Sequence, residues 1–344
     1  MNRLKYATKN RFGFDSLMPK RGVNMKIVLP DAKTVTQGDL SLEPLKEFGE
    51  VVVYDLTKYE DIAERVRDAD AVICNKTLLN SETLRLASRL KYIGLFATGY
   101  NNIDTDYCNK AKITVCNAGS YSTDAVCQHT FALILECLNR VGDYSRFVAE
   151  GNWKNSETFS PFEFPLGELS GKTLGIVGYG NIGKAVGRVA KAFNMNVLAY
   201  KRTPDRNAEV AFADFDTVLR NSDIVTVHCP LNDSSYRLFD EKAFSKMKDG
   251  AIFINTARGA IMDETALKNA LLSGKLAYAG IDVLETEPMS EDCPICTVKN
   301  CFITPHIAWA PMETRERLMG IVCDNLRCFL SGKPKNVVNQ PPIC

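Results

Sequence analysis

From Met25 onward, short apolar runs alternate with longer stretches of helical period. The runs "KIVLP" (26–30), "VVVYD" (51–55), "AVICN" (71–75), "YIGLFA" (92–97) and "ITVCN" (113–117) read as buried strands by length and β-branched content. Between them, 58–68 and 81–89 have the spacing of amphipathic helices. Strands alternating with helices predict βαβ units and a parallel sheet. Residues 121–149 then carry a long helical pattern that is apolar on much of its surface. Such a helix is expected to be buried, between domains or against another subunit. Residues 151–169 are rich in aromatics and proline and lack a clean period, so a long surface arm is expected there.

A second alternating set starts at Lys172, with strands predicted at 173–178, 196–200, 224–229, 251–257, 278–283 and 301–306. Six strands after one glycine-rich turn is the order of a dinucleotide-binding domain. The segment 312–330 is helical again, and a lone helix after a completed sheet is expected to return to the first domain. The expected fold class is therefore α/β, with two parallel-sheet domains. Residues 25–123 with 312–344 would form one, and 124–311 the cofactor-binding one. Residues 1–24 are polar, basic and aperiodic, and read as a disordered leader outside the fold.

Composition narrows the function classes. A length of 344 residues suits about two domains. Lys and Arg number 42 against 41 Asp and Glu, so no basic excess points to nucleic acid or an anionic membrane surface. No apolar run approaches the roughly 18 residues of a membrane span. The 12 cysteines are scattered without a framework, which predicts reduced thiols in a cytoplasmic protein. Cys293 and Cys296 form a CxxC, but in a loop before "CFITPH" and without a second ligand pair, so no metal site is expected.

"GYGNIG" sets Gly178, Tyr179, Gly180, Asn181, Ile182 and Gly183 in a GxGxxG turn between a predicted strand and the helix "NIGKAVGRVAKAF". A glycine turn in some other α/β fold would lack that setting. Gly178 permits the tight turn, Gly180 lets backbone approach a pyrophosphate, and Gly183 lets helix pack on strand. The helix N-terminus then faces the phosphates. After the next strand, NAD binding calls for an acid that accepts from the ribose 2′-hydroxyl. Here stand Lys201, Arg202 and Thr203. Two cations suit a 2′-phosphate, so NADP(H) is favoured over NAD(H). The plainer alternative is a pair of solvated charges with NAD bound less selectively.

Three more motifs end predicted strands. "NTARG" supplies Arg258, "DVLETEP" supplies Asp282 and Glu287, and "TPHIAWA" supplies His306. Reducing a carbonyl by hydride needs a proton donor to the developing alkoxide, and histidine suits that near neutral pH. A carboxylate on the other ring nitrogen would hold the tautomer, and Arg258 would stabilise negative charge on the oxygen. The remaining histidines are His129, within the apolar helix and read as structural, and His228, at a strand end beside the cofactor edge.

In this order and spacing, "GYGNIG", "NTARG", "GIDVLETEP" and "TPHIAWA" resemble the D-isomer-specific 2-hydroxyacid dehydrogenases, over about residues 26–339. "ATGYNNID", "GSYSTDAVCQHTFAL" and "TPHIAWA" carry a narrower likeness to the glycerate dehydrogenase and hydroxypyruvate reductase branch. The resemblance implies a flavodoxin-like substrate domain and a Rossmann-like cofactor domain with the active site in the cleft between them. It also implies a homodimer, with the helix at 126–138 and the arm at 151–169 expected in its interface. It makes Arg258, Glu287 and His306 the catalytic triad. It assigns the cofactor to the glycine turn with Thr123, His228, Cys229, Pro230, Ala257 and Asp282. It assigns the substrate carboxylate to main-chain amides around Tyr100, Asn101 and Asn102, with Lys76 and Arg258 nearby. The departure is Lys201, where NAD-preferring members carry an acid.

The expected partner is a small 2-keto acid. Formate dehydrogenases resemble the chain less, since they carry glutamine where Glu287 stands. Phosphoglycerate dehydrogenases commonly add a regulatory domain, for which no room is expected here. A D-lactate-type dehydrogenase shares the triad and stays open, as does an NAD(H)-sensing corepressor-like binding protein.

Overall fold

The computed structural model of the chain describes residues 25–203 and 210–339, and the leader expected at 1–24 lies outside them. The chain divides into two units, one running to Gly119 and resuming at Glu316, the other spanning Ser120–Arg315. The pattern of the sequence had placed these joins at 123 and 312.

In the first unit, strands β1 (Met25–Leu29), β2 (Gly49–Val53), β3 (Ala71–Cys74), β4 (Tyr92–Leu95) and β5 (Thr114–Cys116) form one sheet in the order β2-β1-β3-β4-β5. Every pairing is parallel. β3, β4 and β5 are buried throughout, which explains their unbroken apolar runs. Helices α1 (Tyr59–Arg65) and α2 (Thr105–Lys110) belong to this unit, and Asp104 caps α2 by accepting the Tyr107 N–H. The helix expected at 81–89 is instead a run of turns. Asn80 Oδ1 accepts the N–H of Glu82 and Thr83, while the Thr83 hydroxyl sits 3.2 Å from the carbonyls of Leu78 and Asn80. Side chains that bond nearby backbone in this way compete with a helix. The far edge of β5 is covered by residues late in the chain. The side chain of Asn339 accepts the Val115 N–H and donates to the Ile113 carbonyl, each at 2.8 Å.

In the second unit, helix α3 (Thr123–Asn139) and helix α4 (Val141–Ala149) precede the sheet. The sheet holds β6 (Thr173–Val177), β7 (Asn196–Tyr200), β8 (Ala211–Phe212), β9 (Ile224–Val227), β10 (Ala251–Asn255), β11 (Leu276–Ile281) and β12 (Cys301–Ile303). Their order is β12-β11-β10-β9-β6-β7-β8, and all pairings are parallel. The connectivity reverses at β6, which pairs with β7 on one side and β9 on the other. Ligands of open α/β sheets bind at such a switch point, beyond the carboxyl ends of the strands. Helices α5 (Asn181–Ala192), α6 (Phe215–Asn221), α7 (Glu241–Lys246) and α8 (Glu264–Leu272) complete the unit. Helix α9 (Met312–Leu330) begins at its end and runs on into the first unit. The seventh strand, β8, is a correction to the six expected. Two residues are too short to show a period.

The long helical pattern at 121–149 is two helices. Arg140 breaks it with a left-handed backbone, φ 51°, while its N–H closes α3 on the Glu136 carbonyl. Its guanidinium bonds Asp143 and the Tyr278 hydroxyl and lies over the rings of Phe164, Tyr278 and Phe302. The apolar side of α3 is also accounted for locally. Phe131, Leu133, Ile134, Cys137 and Leu138 join Ile176 and Ile254 in the core of their own unit. The unit's own sheet buries these side chains, so their apolar character does not by itself require a partner subunit. Within 121–169, the large apolar residues that stay exposed lie on α4 and the arm, with Phe159 at 89% and Phe162 at 84%.

Candidate active site

Three turns at the carboxyl ends of the adjacent strands β10, β11 and β12 bring Arg258, Glu287 and His306 to one edge of the second unit's sheet. The first turn is shaped by Asn255, a fully buried side chain at the end of β10. Its Oδ1 accepts the Ala257 N–H at 3.0 Å, and its Nδ2 donates to the Arg258 carbonyl at 2.9 Å. Arg258 donates from Nη1 to the Ala257 carbonyl at 2.7 Å, which steadies the guanidinium. Gly259 follows because nothing larger fits. A Cβ there would lie 1.9 Å from the Leu284 carbonyl carbon, so this turn is seated on the backbone that leads to Glu287.

Glu287 holds two partners at once. Oε1 accepts the Leu284 N–H at 3.0 Å, and Oε2 lies 2.6 Å from His306 Nδ1. His306 has a left-handed backbone, φ 54°. Such a conformation in a non-glycine residue needs support. Asp282 provides it from beneath. Its Oδ1 accepts the Thr304 hydroxyl at 2.6 Å and the Ile307 N–H at 2.9 Å, and its Oδ2 accepts the Ala308 N–H at 2.9 Å. Burial pushes the Asp282 carboxyl up, but hydrogen bonds from His129, Thr304, Ala308 and Ile307 outweigh it and hold it below the usual carboxylate range. The Asp282 side chain, expected to line the cofactor, is thus 1% exposed and committed to the His306 loop.

The glycine turn lies at the switch point, and its three glycines have different reasons. Gly178 has φ 100°, and a Cβ on it would be 2.4 Å from the Cys229 nitrogen. At Gly183 a Cβ would be 2.4 Å from the Gly178 carbonyl oxygen, so this glycine lets α5 close on β6. At Gly180 a Cβ would meet no described atom within 4 Å. The fold leaves that position open, and only a group brought against the backbone would require glycine there, which fits a pyrophosphate at the start of α5. Tyr179 is buried in the core, edge-on to Phe212 at 5.5 Å, and Ile182 is partly buried against the same core. Asn181 donates to the Ser120 hydroxyl at 2.7 Å, and Thr123 donates to the Ser120 carbonyl at 3.3 Å.

At the end of β7, Lys201 is partly buried while Arg202 and Thr203 are exposed. Arg202 Nη1 donates to the Ser234 hydroxyl at 3.3 Å. At the end of β9 lie His228, Cys229 and Pro230, with His228 Nε2 3.0 Å from the Thr226 hydroxyl. Burial pushes His228 down to about 3, so the ring is neutral at physiological pH. Its Nδ1 is buried without a hydrogen-bond partner among the described residues. Ala257 is partly buried in the turn before Arg258.

In the first unit, Asn102 donates to the Thr77 carbonyl at 2.8 Å, and its own carbonyl accepts the Leu79 N–H at 2.9 Å. Tyr100 and Asn101 are exposed beside it. Lys76 lies on a turn that Asp31 gathers: its carboxylate accepts the N–H groups of Asn75, Lys76 and Thr77 at 3.1, 2.6 and 2.8 Å. Sequence reasoning missed Asp31. The available signal was an acid immediately after the first apolar run, at a strand's carboxyl end. It also missed Asn255 and the link from His129 to Thr304, which nothing local in the sequence announces.

Cys293 is buried and Cys296 exposed in a turn, and all the described cysteines are unpaired. No cluster of metal-ligating side chains occurs among the described residues. No described helix is long and apolar enough to cross a membrane.

Residues 131–308 match the family described as D-isomer specific 2-hydroxyacid dehydrogenase, NAD binding domain. The chain is 42% identical to a hydroxypyruvate reductase of Blautia hydrogenotrophica, over 92% of this chain and 100% of that one. It is 40% identical to a glyoxylate reductase of Thermococcus litoralis, over 81% and 86%. Among solved structures it is similar to an NADPH-dependent glyoxylate/hydroxypyruvate reductase from Sinorhizobium meliloti in complex with citrate. That likeness has a TM-score of 0.82 and 26% identity, and covers 93% of this chain and 99% of that one.

Proposed function

The chain belongs to the D-isomer specific 2-hydroxyacid dehydrogenase family, and on that premise we propose that it reduces hydroxypyruvate and glyoxylate to D-glycerate and glycolate, with NADPH preferred over NADH. The observation that carries the proposal is the 2.6 Å pair of Glu287 and His306 on the strand edge that also bears Arg258. Bound NADPH would supply the hydride, held by the glycine turn and the amides that open α5. Glu287 accepts a hydrogen bond from His306 Nδ1–H and favours the protonated ring, whose Nε2–H gives its proton to the alkoxide as it forms and leaves a neutral imidazole. Arg258 stabilises charge developing on the same oxygen and can fork onto the substrate carboxylate. Lys76, Tyr100, Asn101 and Asn102 are proposed as the further carboxylate contacts. The names of the relatives support the choice of substrates, and one of them is described as NADPH-dependent.

The cofactor preference rests on Lys201 and Arg202, where no acid is present to accept from a 2′-hydroxyl. Arg202 is exposed, so salt should screen its attraction for a 2′-phosphate. We expect kcat/KM to be about tenfold higher with NADPH than NADH at low salt, and the gap to narrow as salt rises. A tenfold preference for NADH would end this part of the proposal. Unpaired cysteines support a cytoplasmic enzyme, and the exposed aromatics of the arm support a homodimer.

The experiment is steady-state turnover on glyoxylate, hydroxypyruvate and pyruvate with each cofactor, for the native chain and His306→Gln. Loss of the proton donor should lower kcat by about two to four orders of magnitude and leave cofactor affinity near native. Native turnover in His306→Gln would remove His306 from that role, and a dominant rate on pyruvate would move the reading to a D-lactate-type enzyme.

A further inference from the structure

Beneath the His306 loop lies a side chain that the reaction as described does not use. His129 sits on α3, and its Nε2 is 2.9 Å from the Thr304 hydroxyl oxygen and 3.4 Å from Asp282 Oδ1. Proton accounting fixes the direction of these contacts. Ionised Asp282 offers only acceptors, and Thr304 has one hydroxyl proton. At 2.6 Å that proton goes to Asp282 Oδ1. The contact from His129 must then be made with a proton of its own, so His129 carries hydrogen on Nε2 and donates. The remaining donors to Asp282 are the main-chain N–H groups of Ile307 and Ala308, directly after His306. Thr304 and Ile307 thus bracket His306 on one carboxylate oxygen, and His129 closes the network from α3.

That α3 is a rigid anchor follows from its burial. The helix packs on α5, β10 and β11, and Phe131, Leu133 and Ile134 are in the core. His306, in contrast, holds a left-handed backbone that persists only where its surroundings enforce it.

We infer that His129 is a positioning residue for proton transfer: its Nε2–H fixes Thr304, and through Thr304 and Asp282 it fixes the backbone that aims His306. The inference rests on His306 being the proton donor. Misplacing a reacting group by a fraction of its contact distance costs rate without weakening cofactor binding. His129→Leu should therefore lower kcat for glyoxylate reduction about tenfold or more, with the KM for NADPH within about twofold of native. His129→Gln, which can return an N–H donor near the Nε2 position, should restore most of the rate. Thr304→Val should reproduce the loss, and the double variant His129→Leu with Thr304→Val should be no more than about twofold slower than either alone, because both break one chain of bonds.

A native kcat in His129→Leu or in Thr304→Val would overturn the inference. So would a glutamine variant as slow as the leucine one, or losses that multiply in the double variant. If His129→Leu does not fold, the Thr304→Val and His129→Gln rates still decide the matter. His306→Gln separates the two levels: native turnover there overturns the reading of the donor itself, whereas its loss beside an unaffected His129→Leu overturns only the role of His129.

Discussion

His228 shows how one residue can couple stability to pH without taking part in chemistry. Burial depresses its ring from an ordinary 6.5 to about 3 in the folded chain. In the unfolded chain it takes up a proton near 6.5, so between these values the unfolded state binds more protons. Stability contributed by the neutral ring is therefore complete above about 6.5 and is lost as pH falls toward about 3. His228→Asn removes that titration. Denaturant melts at about pH 7.5 and about pH 5 should show the native chain losing more stability across the interval than the variant. Equal losses would mean the ring is solvated. The residue level was also the hardest to read in advance. The motifs pointed to Arg258, Glu287, His306 and Asp282, but not to the bonds that the Asp282 carboxylate makes. Its partners Thr304, Ile307 and Ala308 come from the next strand's loop and depend on the fold.

At the level of elements, two glycines of this chain make opposite predictions. Gly259→Ala would drive a methyl to 1.9 Å from the Leu284 carbonyl carbon, in backbone that cannot step aside. It should cost about 3 kcal/mol of stability or more, and separate the Arg258 turn from the Glu287 loop. Gly180→Ala puts its methyl where no described atom lies within 4 Å. Thermal stability should change by no more than about 0.5 kcal/mol, while the KM for NADPH should rise about tenfold. Paired melts and cofactor titrations check both; a Gly180→Ala enzyme with native NADPH affinity would place the pyrophosphate elsewhere. β3, β4, β9 and β10 were legible as elements because they are buried throughout and their runs are largely apolar. The break at Arg140 was not, because the rings that hold it, Phe164, Tyr278 and Phe302, lie far along the chain. The turns at 81–89 were misread because Asn80 and Thr83 bond nearby backbone, a choice that hydrophobic spacing does not encode.

For the molecule as a whole, the homodimer we propose turns on the arm. Phe159 and Phe162 are 89% and 84% exposed, and Trp153 and Leu166 are more than half exposed as well. Aromatics so exposed on one segment call for a covering surface. Sedimentation of the native chain at micromolar concentration should give a dimer, and replacing Phe159 and Phe162 together with glutamate should give a monomer. A native monomer would sink the proposal. The two-unit plan was visible in the sequence because the strand pattern restarts after the arm, and a final helix is left without a sheet of its own. What the pattern could not give was the reason for apolarity in α3, since a helix buried by its own sheet and one buried by a partner carry the same residues.

The bonds from Asn339 to β5 also set an order in time. The first unit's sheet is encoded by residue 116, yet the side chain that satisfies Val115 and Ile113 is Asn339. On a ribosome adding roughly 5–20 residues per second, that sheet waits some tens of seconds with its last edge open. The whole second unit is translated in the interval. An unpaired strand edge is a template for other chains, so nascent chains released before Asn336–Asn339 emerge should be the ones that recruit chaperones or aggregate.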